Sequence, residues 1–238
     1  MSGHSKWAQI KRSKGALDAK RGLVFSKLAK KITIAAKQGN SSDPTLNYLL
    51  RAEIDKAKAQ GLPNENIERA IKKAFSNDTQ TVEEVIYEGY GPFGTAFLVE
   101  CATDNKNRTV SEIKHIFSKN GGSLGAMGSV GWQFQTKGQI LVERSANLEH
   151  IEFTAIEAGA EDIRESSEGL EVYTTPETIT TIQQALEKAG AKIAQWEIIK
   201  ESSQGIDLSL EQKTQVDKLF AELEEYEDTI AVHTSANL

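Results

Sequence analysis

The chain has one cysteine, four prolines, two methionines and four histidines in 238 residues. A single thiol, Cys101, excludes any disulfide within the chain and any cysteine-based zinc cluster, and it fits a reducing, cytoplasmic setting. No apolar run approaches the ~18 residues a membrane helix needs, and the basic start lacks the apolar block of a secretory signal, so no membrane partner is expected. His4, His115, His150 and His233 have neither ligand spacing nor cysteine partners, and no metal or cofactor is expected. Catalysis is not indicated either. No pair of carboxylates stands out as acid and base, and Cys101 lies in an apolar segment where a thiol is inert; a triad assembled in space would leave no spacing to read, which keeps an enzyme as a third reading. Residues 121–128, GGSLGAMG, lack both the ending of a phosphate-cradling loop and the spacing of a dinucleotide fingerprint, and read as a flexible connection.

What the chain does have is a division of charge. Residues 1–73 hold 16 Lys and Arg against 6 Asp and Glu, a formal +10, whereas residues 74–238 hold 12 against 28, a formal −16. A basic region on an acidic body suits contact with a polyanion. The cations begin in residues 3–14, GHSKWAQIKRSK, where they surround one tryptophan. His4, Lys6, Lys11, Arg12, Lys14, Lys20 and Arg21 are candidates for phosphate contact, and Trp7 for stacking on an unpaired base or filling a groove. Lys27, Lys30 and Lys31 extend the set along the outward stripe of a following helix. The competing expectation is that Trp7 packs on the helices and the cations dock on the protein's own acidic domains. Backbone contacts carry little sequence information, so the charge pattern points to phosphate without choosing DNA or RNA. The helix start that holds Lys106, Arg108 and Thr109 is a candidate secondary anion site, set against the plainer reading of a well-capped helix with no ligand, which is preferred.

Periodicity supplies the architecture. Phe25, Leu28, Ala29, Ile32 and Ala36 recur at helical spacing. Asp43-Pro44 resembles a helix cap, with Leu46, Leu49, Leu50, Ile54 and Ala57 as the buried face behind it, and a third helix begins near Pro63 with Phe75 facing inward. These three make a small bundle, and residues 1–22, with Gly15 and Gly22 and no strong apolar period, are expected to be a partly mobile arm on it, the two together forming a basic domain of residues 1–77. Strands are expected from Val85, from Thr95 to Ala102 and from Ser129 to Gln135, with a capping box at Thr109–Glu112 and a turn at Gly138. Residues 139–204 then read strand, helix, strand, strand, helix, strand, the ferredoxin-like order. A helix near Leu210–Leu223 and a strand near Thr229–His233 follow, and that strand is expected to return to the sheet begun at Thr95. The predicted fold class is therefore α+β with three domains: a three-helix bundle, an α/β domain of residues 78–138 plus 205–238, and a ferredoxin-like domain of residues 139–204 inserted in it.

Five motifs, GHSKW at 3–7, DAKRG at 18–22, YEGYGP at 87–92, DNKNRT at 104–109 and FSKNGGSLG at 117–125, resemble the YebC/PmpR family, and the likeness covers nearly the whole chain. The resemblance implies an N-terminal helical domain and two α/β domains, in cytosolic DNA-binding transcription regulators without catalytic residues. Some relatives are instead translation activators at the ribosome. The expectation is thus a non-enzymatic regulator of gene expression that binds DNA through its N-terminal region, with protein partners on the acidic domains. A translation factor on ribosomal RNA is the rival reading, and an enzyme the third.

Overall fold

In the computed structural model, which describes residues 17–76, 82–145 and 147–238 with side chains from residue 21, the first helix, α1, spans Leu17–Gln38. Residues 17–22, expected to belong to the arm, are instead the first turns of α1, because Leu17, Ala19, Lys20 and Arg21 are intrinsically good helix formers; residues 1–16 of the expected arm lie outside the described residues. Leu28, Ile32 and Ala36 of α1 meet Leu50, Ile54 and Ala57 of α2 (Tyr48–Ala59) and Ile67, Ala70 and Ala74 of α3 (Asn64–Ala74) in one apolar cluster. The cap of α2 is Asn47, not Asp43. Its Oδ1 accepts from the Leu50 N–H at 3.1 Å while its Nδ2 donates to the Ala35 carbonyl at 2.9 Å, which ties α2 to the end of α1. Asp43 instead folds back on the Thr45 N–H at 2.8 Å. The later start leaves Leu46 outside the helix and 79% exposed, against the expectation that it is core. Phe75 caps the C-terminal end of α3 and is likewise exposed, not inward-facing.

The same unit continues with β1 (Glu83–Tyr90), β2 (Ala96–Thr103), α4 (Lys106–Lys119) and the two-residue β3 (Ser123–Leu124). It is completed by α7 (Leu210–Glu225) and β8 (Thr229–Thr234). The sheet order is β3-β1-β2-β8 and every pairing is antiparallel. As expected, β8 returns to the side of β2. Flanked on both sides, β2 reads Ala-Phe-Leu-Val-Glu-Cys-Ala-Thr, buried at every position except Glu100. Phe97 on β2 packs edge-on against Phe117 of α4 with ring centroids 5.9 Å apart. The expected capping box at Thr109 is displaced: Asn105 caps α4, and Thr109 lies one turn inside it, buried.

The second unit holds residues 132–206 and 237–238. Its strands β4 (Phe134–Glu143), β5 (Asp162–Glu165), β6 (Gly169–Thr174) and β7 (Ile193–Ser202) take the order β5-β6-β4-β7, with α5 (Leu148–Glu157) and α6 (Ile179–Lys188) in the crossovers. This is the ferredoxin-like series. One sheet face, carrying Ile140, Val142, Leu170 and Val172, packs on Ile151, Ala155, Ile179, Ile182 and Leu186 of the helices. Gly138 does not turn the chain. It sits within the continuous strand β4, where a Cβ would come within 2.8 Å of Thr174 and 2.9 Å of Ile179, so glycine there permits close packing. The strand expected from Ser129 begins only at Phe134, after a single 3-10 turn at Gly131–Gln133.

Candidate nucleic-acid interface

The candidate cations divide into three groups by position. His4, Lys6, Trp7, Lys11, Arg12 and Lys14 lie outside the described residues, and Lys20 is on α1 without a described side chain. Arg21, on the same helix, is exposed. Lys27, Lys30 and Lys31 are half-buried, and the first two are turned onto the α/β domain, so the expected outward stripe does not hold for them. The Lys27 ammonium donates to the Glu224 carbonyl near the end of α7. Lys30 donates to the Glu227 carbonyl at 3.0 Å and to Asp228 Oδ1 at 2.6 Å. Burial outweighs the attraction of Glu224 and pushes the Lys27 amine down to about 8.

Asp228 is the centre of this arrangement and only 2% exposed. Its Oδ2 accepts from Thr109 Oγ1 at 2.9 Å, Arg108 at 3.0 Å, the Tyr226 hydroxyl at 3.1 Å and Thr103 Oγ1 at 3.2 Å. Burial alone would raise this carboxyl, but hydrogen bonds from Lys30, Arg108 and Thr109 override it and hold the group well below the usual carboxylate range. Arg108 is correspondingly raised, first by its hydrogen bond to Asp228.

The secondary anion site is therefore filled from within. The residues that would receive a phosphate, Arg108 and Thr109, hold the protein's own carboxylate, and Lys106 pairs with Glu83 at 2.6 Å. Around this polar centre α1 also rests on the sheet through an apolar contact of Ile34 with Val82, Ala102 and Ile230, and Gln38 donates to Glu84 at 2.9 Å. The DNKNRT motif thus joins α4 to the turn before β8, and through Lys30 to the bundle.

The YEGYGP and FSKNGGSLG motifs meet as paired strands, Gly89 opposite Leu124 and Tyr90 opposite Ser123, and YEGYGP also supplies a second buried carboxylate. Glu88 accepts from the Gly131 N–H at 2.6 Å and from the Gly128 and Val130 N–H groups at 2.7 Å. Burial would raise it, but these three bonds hold it below its usual value. Tyr90 adds a hydroxyl bond to the Ser129 carbonyl at 2.9 Å. The segment expected to be a flexible connection, residues 121–128, is instead held in place: Ser123 and Leu124 pair with β1, the Gly125 N–H donates to the Glu88 carbonyl at 2.8 Å, and the Gly128 N–H donates to the Glu88 carboxylate. Gly89 makes this possible: a Cβ there would stand 2.7 Å from the Phe117 ring.

Sequence periodicity missed a further set on the bundle. Tyr48, Arg51, Lys58, Lys72 and Lys73 are exposed on α2 and α3. The available signal was that Tyr48 falls outside the 50/54/57 apolar spacing. Among the described residues no group of His, Cys, Asp or Glu could hold a metal, and no helix is long and apolar enough to cross a membrane. Cys101 is fully buried and its thiol is pushed up to about 12 by burial.

A helical bundle joined by an internal carboxylate to an α/β domain, with a ferredoxin-like domain inserted between that domain's α4 and α7, defines a three-domain α+β protein. The chain belongs to the TACO1/YebC family: residues 5–77 match its N-terminal domain and residues 82–236 its second and third domains. It is 51% identical to a probable transcriptional regulatory protein of Desulfosudis oleivorans, over 100% of this chain and 97% of the relative. A probable transcriptional regulatory protein of Thermoanaerobacter pseudethanolicus is 48% identical, over 100% and 98%. The crystal structure of a conserved hypothetical protein from Aquifex aeolicus is similar with a TM-score of 0.87 and 42% identity, over 98% of this chain and 96% of that one.

Proposed function

We propose that the protein is a non-enzymatic regulator of gene expression that binds nucleic acid through the cations of its N-terminal region, with DNA as the target. The observation that carries the reading is the segregation of charge, +10 in residues 1–73 against −16 in the remainder. With Lys27 and Lys30 committed to the fold, the binding set is His4, Lys6, Trp7, Lys11, Arg12, Lys14, Lys20, Arg21 and Lys31, with exposed bundle cations such as Arg51 beside them. The names of the relatives in Desulfosudis oleivorans and Thermoanaerobacter pseudethanolicus support a role in regulation.

One observation favours a second reading, a translation factor on ribosomal RNA. Helix α1 is clasped on two sides, by the bundle core at Leu28 and Ile32 and by the α/β domain at Lys27 and Lys30, so it is poorly placed to lie in a major groove. Contact through a basic N-terminal segment suits structured RNA.

The test is anisotropy titration of labelled duplex DNA and of a structured RNA across a salt series. Six or more phosphate contacts should cost roughly three decades of affinity between low and physiological salt. Replacing Lys6, Lys11, Arg12 and Lys14 together with Ala should weaken binding by a similar factor on every sequence and flatten the salt slope. A salt-independent affinity would overturn the proposal. Tighter binding to RNA, together with salt-released co-sedimentation with ribosomes, would select the second reading.

A further inference from the structure

Helices α5 and α6 lie side by side on one face of the β5-β6-β4-β7 sheet, which makes each a control for the other. The outer side of α6 presents Thr180, Thr181, Gln184, Glu187 and Lys188, the polar surface of an ordinary solvated helix. The outer side of α5 differs. Phe153 and Ile156, one turn apart, are 59% and 58% exposed. Around them stand the exposed carboxylates Glu149, Glu152 and Glu157. From Arg144 to Arg164 no lysine or arginine intervenes, while five acidic residues do. Single exposed apolar side chains need no explanation, whereas an adjacent aromatic and aliphatic pair inside a rim of like charge is a small apolar patch that a complementary partner can cover.

Charge selects the occupant. Phosphate chains and anionic lipid headgroups are repelled by the carboxylate rim. A second copy of the chain docked here about a two-fold axis would bring the carboxylates Glu149, Glu152 and Glu157 of one copy up against the same acidic set of the other. A cationic protein segment meets neither obstacle. We propose that the outer face of α5 is a docking site for a basic amphipathic helix of a protein partner, whose apolar side chains cover Phe153 and Ile156 and whose Lys or Arg side chains meet Glu149, Glu152 and Glu157. This assigns the ferredoxin-like domain a binding role separate from the nucleic-acid face.

The probe is a short synthetic amphipathic helix of leucine and lysine, titrated by anisotropy into the full chain at about 100 mM salt, where surface charges still act over ~10 Å. Phe153→Ser with Ile156→Ser should weaken binding roughly tenfold or more. Glu149→Gln, Glu152→Gln and Glu157→Gln together should weaken it and flatten its salt dependence. Thr180→Ala with Gln184→Ala, on the outer side of α6, should leave it unchanged. The substituted side chains of α5 and α6 are solvent-facing, and circular dichroism checks that each variant is folded. Equal affinity of the wild type and the Phe153→Ser/Ile156→Ser variant would overturn the proposal. So would self-association in sedimentation that those two substitutions abolish, since a second copy would then be the occupant. Stronger peptide binding when Lys6, Lys11, Arg12 and Lys14 are replaced with Ala would also overturn it, because the chain's own N-terminal segment would then hold the face. Nucleic-acid affinity should be the same with and without the α5 substitutions, which keeps this test independent of the preceding one.

Discussion

Replacing Lys30 with Met separates the two roles open to a cation on α1. Methionine keeps most of the apolar stem and removes the ammonium, so packing against the bundle is little changed. Asp228 then loses its partner at 2.6 Å and the Glu227 carbonyl its donor at 3.0 Å. Severing a buried ion pair by removing one member costs about 3–5 kcal/mol. Here the loss should be smaller, because Asp228 keeps Arg108 at 3.0 Å and three hydroxyl donors, and the Lys30 side chain is 21% exposed. We expect about 2 kcal/mol, near the range for a hydrogen bond to a charged group. Urea unfolding followed by circular dichroism reads the loss, and nucleic-acid affinity should stay within roughly twofold of wild type, well under 1.4 kcal/mol. Asp228→Asn should cost more, about 3–4 kcal/mol, since it strips Lys30 and Arg108 together. The double variant should cost less than the sum of the two. Because the folded-state carboxyl titrates below its unfolded value near 3.8, the contribution of Asp228 is complete above that pH and is lost as pH falls through the folded value. The wild-type and Asp228→Asn stability curves should therefore converge in strong acid. A Lys30→Met protein as stable as wild type but with weakened nucleic-acid binding would refute this account and return Lys30 to the interface.

Three further outcomes are expected. Glu88→Gln leaves the N–H groups of Gly128, Val130 and Gly131 competing for one neutral acceptor, so it should cost about 2 kcal/mol and speed hydrogen exchange at those amides; unchanged protection there would show the carboxylate to be dispensable. Gly169→Ala should destabilise the ferredoxin-like domain by about 3 kcal/mol or more, since Gly169 has φ +150° and a Cβ would run into the Val142 carbonyl; a thermal midpoint equal to wild type would contradict that. Lys27, with its folded-state amine near 8 and an unfolded value of 10.5, releases its proton earlier in the folded chain. Stability should therefore rise as pH increases from 8 to 10.5, and Lys27→Met should remove that rise from the urea-midpoint profile.

The bundle, the two sheets and the insertion are legible in the sequence because each is written in local periodicity. Leu28, Ile32 and Ala36 announce a helix face, and the series of residues 139–204 announces its sheet. Errors arise where two local solutions compete. Asp43 and Asn47 are both good helix caps, and Asn47 prevails because its amide also reaches the Ala35 carbonyl across the bundle. Thr109 followed by Glu112 has the spacing of a capping box, but Asn105 starts the helix first and Thr109 turns inward to Asp228. The cations are the hardest case. Lys27 and Lys30 have the spacing of a solvated face, and their partners lie 197 and 198 residues away, beyond any pattern read along the chain. Glu88 is hidden for the same reason, since its ligands are backbone amides about 40 residues on, which composition does not encode.

The insertion also sets an order of assembly. Helix α1 and the strands β1 and β2 leave the synthetic machinery early, but β8 and the Asp228 turn follow only after the whole of residues 132–206 has been made. Until then β2 is an open edge and the ammonium of Lys30 has no carboxylate to grip. The nascent bundle thus emerges with more unneutralised positive charge than the finished protein carries there, and loses it only on final docking.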